Sequence, residues 1–344
     1  MTSSWNETTL PTILSNYKLE DTFNADEFGL FYQCLPEKTY HLKGEKCSGG
    51  KKSKLRFTGM AAASATGEKL PMFVIGKSKK PRCFNNIKHL ACQYTSQKKS
   101  WMDSEIFENW VRKLDQKFRV DGRKIVLIID NCPAHPSISN LTNIHLVFLP
   151  PNTTSVLQPM DQGVIRSLKA HYRRRVVRLL CSALENNKPL PKISILSGMK
   201  ILADSWEAVT KQTIINCFKK SGISSTGQQD AIADSDDPFK DLQESLDDLR
   251  EADPSLVPND LSANDLVTLD DEDDEAEDDG SDMEDDSFDI VVEKPSRSKV
   301  ECSIDLLKDL AMCCEKVKIV TNLTAKTVKL PIQLNVLLSY DSCL

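Results

Sequence analysis

The sequence predicts a mixed α/β domain over residues 1–222, a sheet with helices on its faces. Three observations carry this. Residues 124–130 (KIVLIID) and 144–151 (IHLVFLPP) are unbroken apolar runs of strand length, one ending in an acid and the other in two prolines. Such runs suit strands buried on both faces. Residues 55–76 read as two strands around a turn near Thr66-Gly67-Glu68. Two stretches place apolar residues at helical spacing, one with Ile106, Trp110, Leu114 and Phe118, the other with Ile165, Leu168, Tyr172, Val176 and Leu180.

Taken in order, residues 21–35 (DTFNADEFGLFYQCL) form a short apolar segment with few breakers, a buried strand. The 55–76 hairpin follows, and Ser104 is a natural cap for the first amphipathic helix. The two central strands come next. The segment NTTSVLQPMDQG then leads into a long helix from Val164 to Leu180 with one apolar stripe, and a helix pair falls between Ile195 and Lys220. From Gly222 onward Gly, Ser, Asp and Pro take over, and residues 265–289 are mostly acidic. That composition cannot bury enough apolar surface to offset its ordering entropy. Residues 223–296 are therefore expected to be a disordered acidic linker, and 297–344 a C-terminal helical segment with its periodicity at 300–318.

Several classes are excluded. No apolar run approaches the roughly 18 residues of a membrane span, and the start lacks the basic and apolar regions of a secretory signal. Eleven cysteines without regular spacing do not make a disulfide framework. That points to a reducing, intracellular location. No paired-cysteine zinc motif or phosphate-cradling Gly-rich loop occurs, so a zinc site and nucleotide hydrolysis are not expected.

The formal net charge of −6 conceals an asymmetry. Residues 1–229 hold 34 Lys and Arg against 18 Asp and Glu, a net of +16; residues 230–293 hold 2 against 27, a net of −25. A basic body beside an acidic tract suggests a polyanion-binding surface and a segment that competes for it.

Three aspartates sit where stability alone does not want them. Asp26 interrupts an apolar strand, Asp130 ends the most hydrophobic run, and Asp161 precedes the long helix. Burying a carboxylate is costly unless it is paired or holds a metal. Each has an ordinary explanation: Asp26 pairs with a lysine, Asp130 opens a turn with Asn131 and Pro133, and Asp161 caps the helix. Singly these are the better readings, but three together in a basic domain are less comfortable. The carboxyl end of a central strand, where Asp130 lies, is also where α/β sheets collect ligands.

FNADEFGLFYQ, GEKLPMFVIGKSKKPRCF, KSWMDSEIFENWV, IVLIIDNCPAHP and LPPNTTSVLQPMDQGVIRSLKAHYRRR together resemble the DDE superfamily endonuclease domain of pogo/Tigger-type transposases, over roughly residues 1–222. Five separated motifs in order are far more specific than any one of them. The resemblance implies a ribonuclease H-like fold and a catalytic triad of Asp26, Asp130 and Asp161. It departs at Phe28, where the family usually has a small hydroxyl residue. Three converging carboxylates repel one another, and hard oxygen donors select Mg²⁺ or Mn²⁺ to relieve that. Two such ions about 4 Å apart can drive in-line attack on a phosphodiester. Asp26 is then the shared ligand, with Asp130 and Asp161 each completing one ion's shell. Glu27 and His135 stand next to these ligands in sequence as outward-facing or supporting groups.

The expected partner is DNA. Arg166, Lys169, Arg173 and Arg174 on the long helix are the expected phosphate contacts, against the ordinary reading of a solvated charged face. Trp101 is a possible base-stacking residue, whereas Trp110 reads as core. Lys77-Ser78-Lys79-Lys80-Pro81-Arg82 fits a nuclear import signal but reads better as a structural loop. The helix-turn-helix modules that relatives carry ahead of this domain find no room before Asp26, so sequence-specific recognition is expected to be absent or borrowed. Two classes result: a metal-dependent nuclear DNA endonuclease or strand-transfer domain, and a domesticated DNA- or chromatin-binding protein that no longer cuts. The C-terminal helix offers a surface for a protein partner or self-association.

Overall fold

The computed structural model describes residues 5–33, 55–224 and 237–270. Six strands form one sheet in the order β4-β3-β2-β1-β5-β6. They are β1 (Thr22–Phe31), β2 (Arg56–Ser64), β3 (Phe73–Gly76), β4 (Gln93–Ser96), β5 (Ile125–Ile129) and β6 (Ile144–Phe148). Strand β2 runs antiparallel to both of its neighbours, and the remaining pairs are parallel. The carboxyl ends of β1, β3, β4, β5 and β6 therefore share one edge of the sheet. This mixed sheet with flanking helices is the ribonuclease H-like arrangement.

The helices are α1 (Leu10–Asn16), α2 (Ser104–Val120), α3 (Thr154–Leu157), α4 (Ile165–Glu185), α5 (Ile195–Ala208), α6 (Lys211–Lys220), α7 (Pro238–Ala252) and α8 (Ala263–Thr268). Strand pleating decides which side chains meet which helix. Phe23, Ala25, Leu127 and Ile129 face α2 through Phe107, Trp110, Leu114 and Phe118. The alternate residues Phe28, Leu30, Val126 and Ile128 face α4, α5 and α6 through Leu168, Tyr172, Leu202 and Phe218. All five residues of β5 are buried, which is why that run shows no polar alternation.

Several expectations need correction. The first strand stops at Phe31 rather than running to residue 35. The cap of α2 is Asp103, whose carboxylate accepts the Ile106 N–H at 2.9 Å, and Ser104 is the first helical residue. The short β4 and α1 escaped the sequence reading. The largest correction concerns the expected linker: residues 237–270 are not featureless but fold as α7 and α8. Asp237 caps α7 by accepting the Phe239 N–H at 3.0 Å, and Pro238 occupies its first turn, where a missing N–H costs nothing. Leu242, Leu246 and Leu249 of α7 and Leu266 and Val267 of α8 then bury Ala170, Val177 and Leu180 on the outer side of α4. The expected helix at 300–318 and the rest of the acidic tract lie outside the described residues. Among the described residues no helix is long and apolar enough to cross a membrane.

Candidate active site

The β1–β5 ladder ends at Asn24 opposite Ile128, so Asp26 and Asp130, each two residues further on, fall at the same level of adjacent parallel strands. Asp161 arrives from the other direction, in the turn Met160–Val164 that leads into α4. It does not cap that helix: neither the turn nor α4 has a side-chain cap. Its carboxyl group hydrogen-bonds that of Asp26 instead. Burial, the nearby Asp161 and Glu27, the Asp161 hydrogen bond and then Asp130 all push the Asp26 carboxyl well above the usual carboxylate range. Gly163 stands at φ 141° in this turn, a conformation that favours glycine and lets the chain swing from Asp161 into α4.

Two fully buried amides hold the three segments together. Asn24 donates to the Ile128 carbonyl at 2.9 Å and to Gln158 Oε1 at 2.9 Å, while its own oxygen accepts the Met160 N–H at 3.0 Å. Gln158 donates to the Ala25 carbonyl at 3.2 Å. One side chain on β1 thus ties together β5 and the loop carrying Asp161. The sequence reading missed both amides. Their only signal is position, Asn24 two residues before Asp26 and Gln158 three before Asp161.

His135 does more than its neighbours in sequence suggested. Its Nδ1 lies 2.7 Å from Asp130 Oδ1 and its Nε2 2.9 Å from Glu27 Oε1. Burial alone would lower its pKa, but the neighbouring Asp130 and Glu27 carboxylates outweigh that and raise it to about 10. The ring also packs against Phe107, with centroids 4.3 Å apart. Asp130, Cys132 and His135 bring ligand atoms within 4.8 Å of one another. Both imidazole nitrogens are taken by carboxylates, and burial pushes the Cys132 thiol up to about 11, so this group suits a soft metal poorly. The three aspartates offer the harder donor set.

Phe28 is accommodated by its partner. It lies opposite Gly59 in the β1–β2 register, and a Cβ on Gly59 would come within 2.5 Å of the phenyl ring. The bulk that the family pattern disfavours is absorbed against that glycine.

The expected phosphate contacts are elsewhere engaged. Arg173 is 1% exposed; its guanidinium donates to Asp270 Oδ1 at 2.6 Å and to the Phe31 carbonyl at 2.9 Å. Lys169 is buried with its Nζ 4.0 Å from Asp270. Arg174 forms an ion pair with Asp241, and Arg166 donates to Asn264 at 2.8 Å while lying 4.4 Å over the Phe239 ring. The acidic helices α7 and α8 meet this face of α4, burying Lys169 and Arg173 while Arg166 stays exposed.

The family model described as DDE superfamily endonuclease matches residues 54–218. Tigger transposable element-derived protein 4 of Mus musculus is 40% identical over 233 residues, covering 67% of this chain and 45% of that protein. Major centromere autoantigen B of Homo sapiens is 29% identical over 219 residues, 62% of this chain and 35% of that protein. A Mos1 transposase paired-end complex with left transposon end aligns with a TM-score of 0.38 at 13% identity, covering 64% of this chain and 57% of that one. The chain carries a transposase-derived DDE superfamily endonuclease domain of the pogo/Tigger family. It spans less than half the length of the curated relatives it matches here.

Proposed function

We propose that this chain acts on DNA in the nucleus, holding two divalent ions, Mg²⁺ or Mn²⁺, on Asp26, Asp130 and Asp161 for phosphodiester cleavage or strand transfer. The observation that supports this most directly is the hydrogen-bonded pairing of Asp26 with Asp161 beside Asp130. Two acids so close, one with its pKa held high, are a strained arrangement for a merely structural site and a fitting one for divalent cations. Bound there, the ions would neutralise charge and activate the attacking oxygen at a phosphodiester. Asp26, central to the cluster, is the shared ligand, with Asp130 and Asp161 flanking it. His135 orients the Asp130 carboxylate, and Glu27 fixes the imidazole from its other side. Asn24 and Gln158 keep the three carriers in register.

The test is a Mn²⁺-dependent plasmid nicking assay on the full chain, with Asp130→Ala and Asp161→Ala alongside. Each substitution is expected to abolish nicking and the rise in melting temperature that Mn²⁺ gives the parent protein. Nicking that survives both changes removes the site. DNA binding without nicking or a Mn²⁺ effect would assign the chain to the domesticated, catalytically silent class instead.

A further inference from the structure

Of the four α4 cations that the sequence marked for phosphates, Lys169 and Arg173 are buried and Arg174 is paired with Asp241, which leaves Arg166 alone exposed; a larger set of exposed cations lies elsewhere. From Pro71 to Met102 the chain holds seven Lys or Arg and no Asp or Glu. These residues form β3, β4 and the two connections after them. The first connection leaves the carboxyl end of β3, and the second leaves the carboxyl end of β4 for α2. Both ends point the same way as the carboxyl ends of β1 and β5, and the register across β2 sets Ile75 level with Gly29, three residues beyond Asp26. Lys79, Lys80, Lys88, Lys98 and Lys99 are all exposed there.

Trp101 sits within this rim. It is 42% exposed, whereas Trp5, Trp110 and Trp206 are 7%, 3% and 2% exposed. An indole turned outward forgoes a large apolar burial, yet its loop is firmly built. Gln97 accepts the Ser100 N–H through its carbonyl at 2.8 Å, and the Lys99 N–H through its side chain at 2.6 Å. Ser100 is buried with φ at 56°, an uncommon conformation for a residue with a side chain. The Arg56 guanidinium lies 5.8 Å over the indole and packs across Gly29 of β1, three residues beyond Asp26. Three residues after Trp101, Ser104 reaches the Pro133 carbonyl of the Asp130 loop at 3.5 Å.

We infer that this rim is the nucleic-acid surface: its lysines take the phosphates of a DNA strand, and Trp101 stacks on an unpaired base beside the acidic cluster. The inference rests on the DNA reading above and names the surface that reading requires. Lysines on a stretch that carries no acid of its own attract a polyanion in a salt-dependent way. An exposed indole accepts any base, because every base has a π-face.

The test is equilibrium binding of the full chain to short labelled single-stranded and duplex DNA of mixed sequence, in chelator, at low and moderate salt. Lys79→Glu/Lys80→Glu and Lys98→Glu/Lys99→Glu are each expected to lower affinity at least about tenfold at low salt and to flatten its salt dependence. Trp101→Ala is expected to weaken single-strand binding about tenfold and duplex binding less. Trp101→Phe should remove the fluorescence quenching that single-stranded DNA causes in the parent chain. Charge-reversed rims that bind as the parent does, with quenching unchanged by Trp101→Phe, overturn the inference. Because no metal is present, such a failure would leave the nicking result standing, whereas lost nicking with intact rim binding would remove only the metal site.

Discussion

Asn24 shows how much of the site hangs on a residue with no chemistry of its own. It is fully buried, and its amide satisfies three partners drawn from β5, Gln158 and the backbone of Met160. Removing it leaves the Met160 N–H and the Gln158 side chain short of partners in a dry environment, a cost of about 1–3 kcal/mol for an unsatisfied group. Asn24→Ala should therefore lower the urea midpoint without changing the slope, and should also weaken the Mn²⁺-induced rise in melting temperature, since Asp161 loses its anchor to β1. An unchanged metal response would show that Asp161 is positioned without Asn24. The acids themselves were legible because a carboxylate in an apolar run is conspicuous. Asn24 and Gln158 were not, because an amide near a strand end or beside a proline looks like ordinary turn chemistry until the third dimension supplies its partners.

At the level of elements, α4 is the pivot. Its inner stripe of Leu168, Tyr172 and Val176 was readable by period. Its outer stripe, with Ala170 and Val177, was not, because arginines interrupt it and a cationic helix face reads as solvated; Leu180, counted by period with the inner stripe, packs on this outer side instead. The same charge counting hid α7: Leu242, Leu246 and Leu249 recur at helical spacing behind an Asp-Pro cap, yet the excess of acids around them made the region look like linker. Asp270, just beyond α8, closes this unit. Its carboxylate accepts from both Arg173 and the Phe31 N–H, the latter at 2.8 Å, joining the acidic segment to the end of the strand that carries Asp26. Asp270→Asn keeps the shape and an acceptor for Phe31 but leaves Arg173 a buried cation without its counter-charge. Breaking such a pair costs about 3–5 kcal/mol, so chemical unfolding should show a clear loss of midpoint. A change under about 1 kcal/mol would mean that Arg173 finds water or another acceptor there.

At the scale of the whole molecule, the charge asymmetry read from the sequence divides into two parts with different consequences. Two pictures of the acidic tract make opposite predictions. If residues 237–270 were a detachable screen over the basic body, deleting them would free Arg166, Lys169, Arg173 and Arg174 and tighten DNA binding. The structure shows instead that this segment buries three leucines of α7 against α4 and supplies the counter-charge of Arg173. Burying each such leucine is worth about 1.5–3 kcal/mol, and the exposed patch left behind is of the kind that promotes association. An internal deletion of 237–270 should therefore yield a chain that melts at lower temperature and aggregates on size-exclusion chromatography, with no gain in DNA affinity for whatever monomer remains. A soluble monomer of undiminished stability that binds DNA more tightly would restore the screening picture. The balance of magnitudes is against it: several buried leucines and a buried ion pair outweigh the few tenths of a kcal/mol that each exposed charge pair contributes.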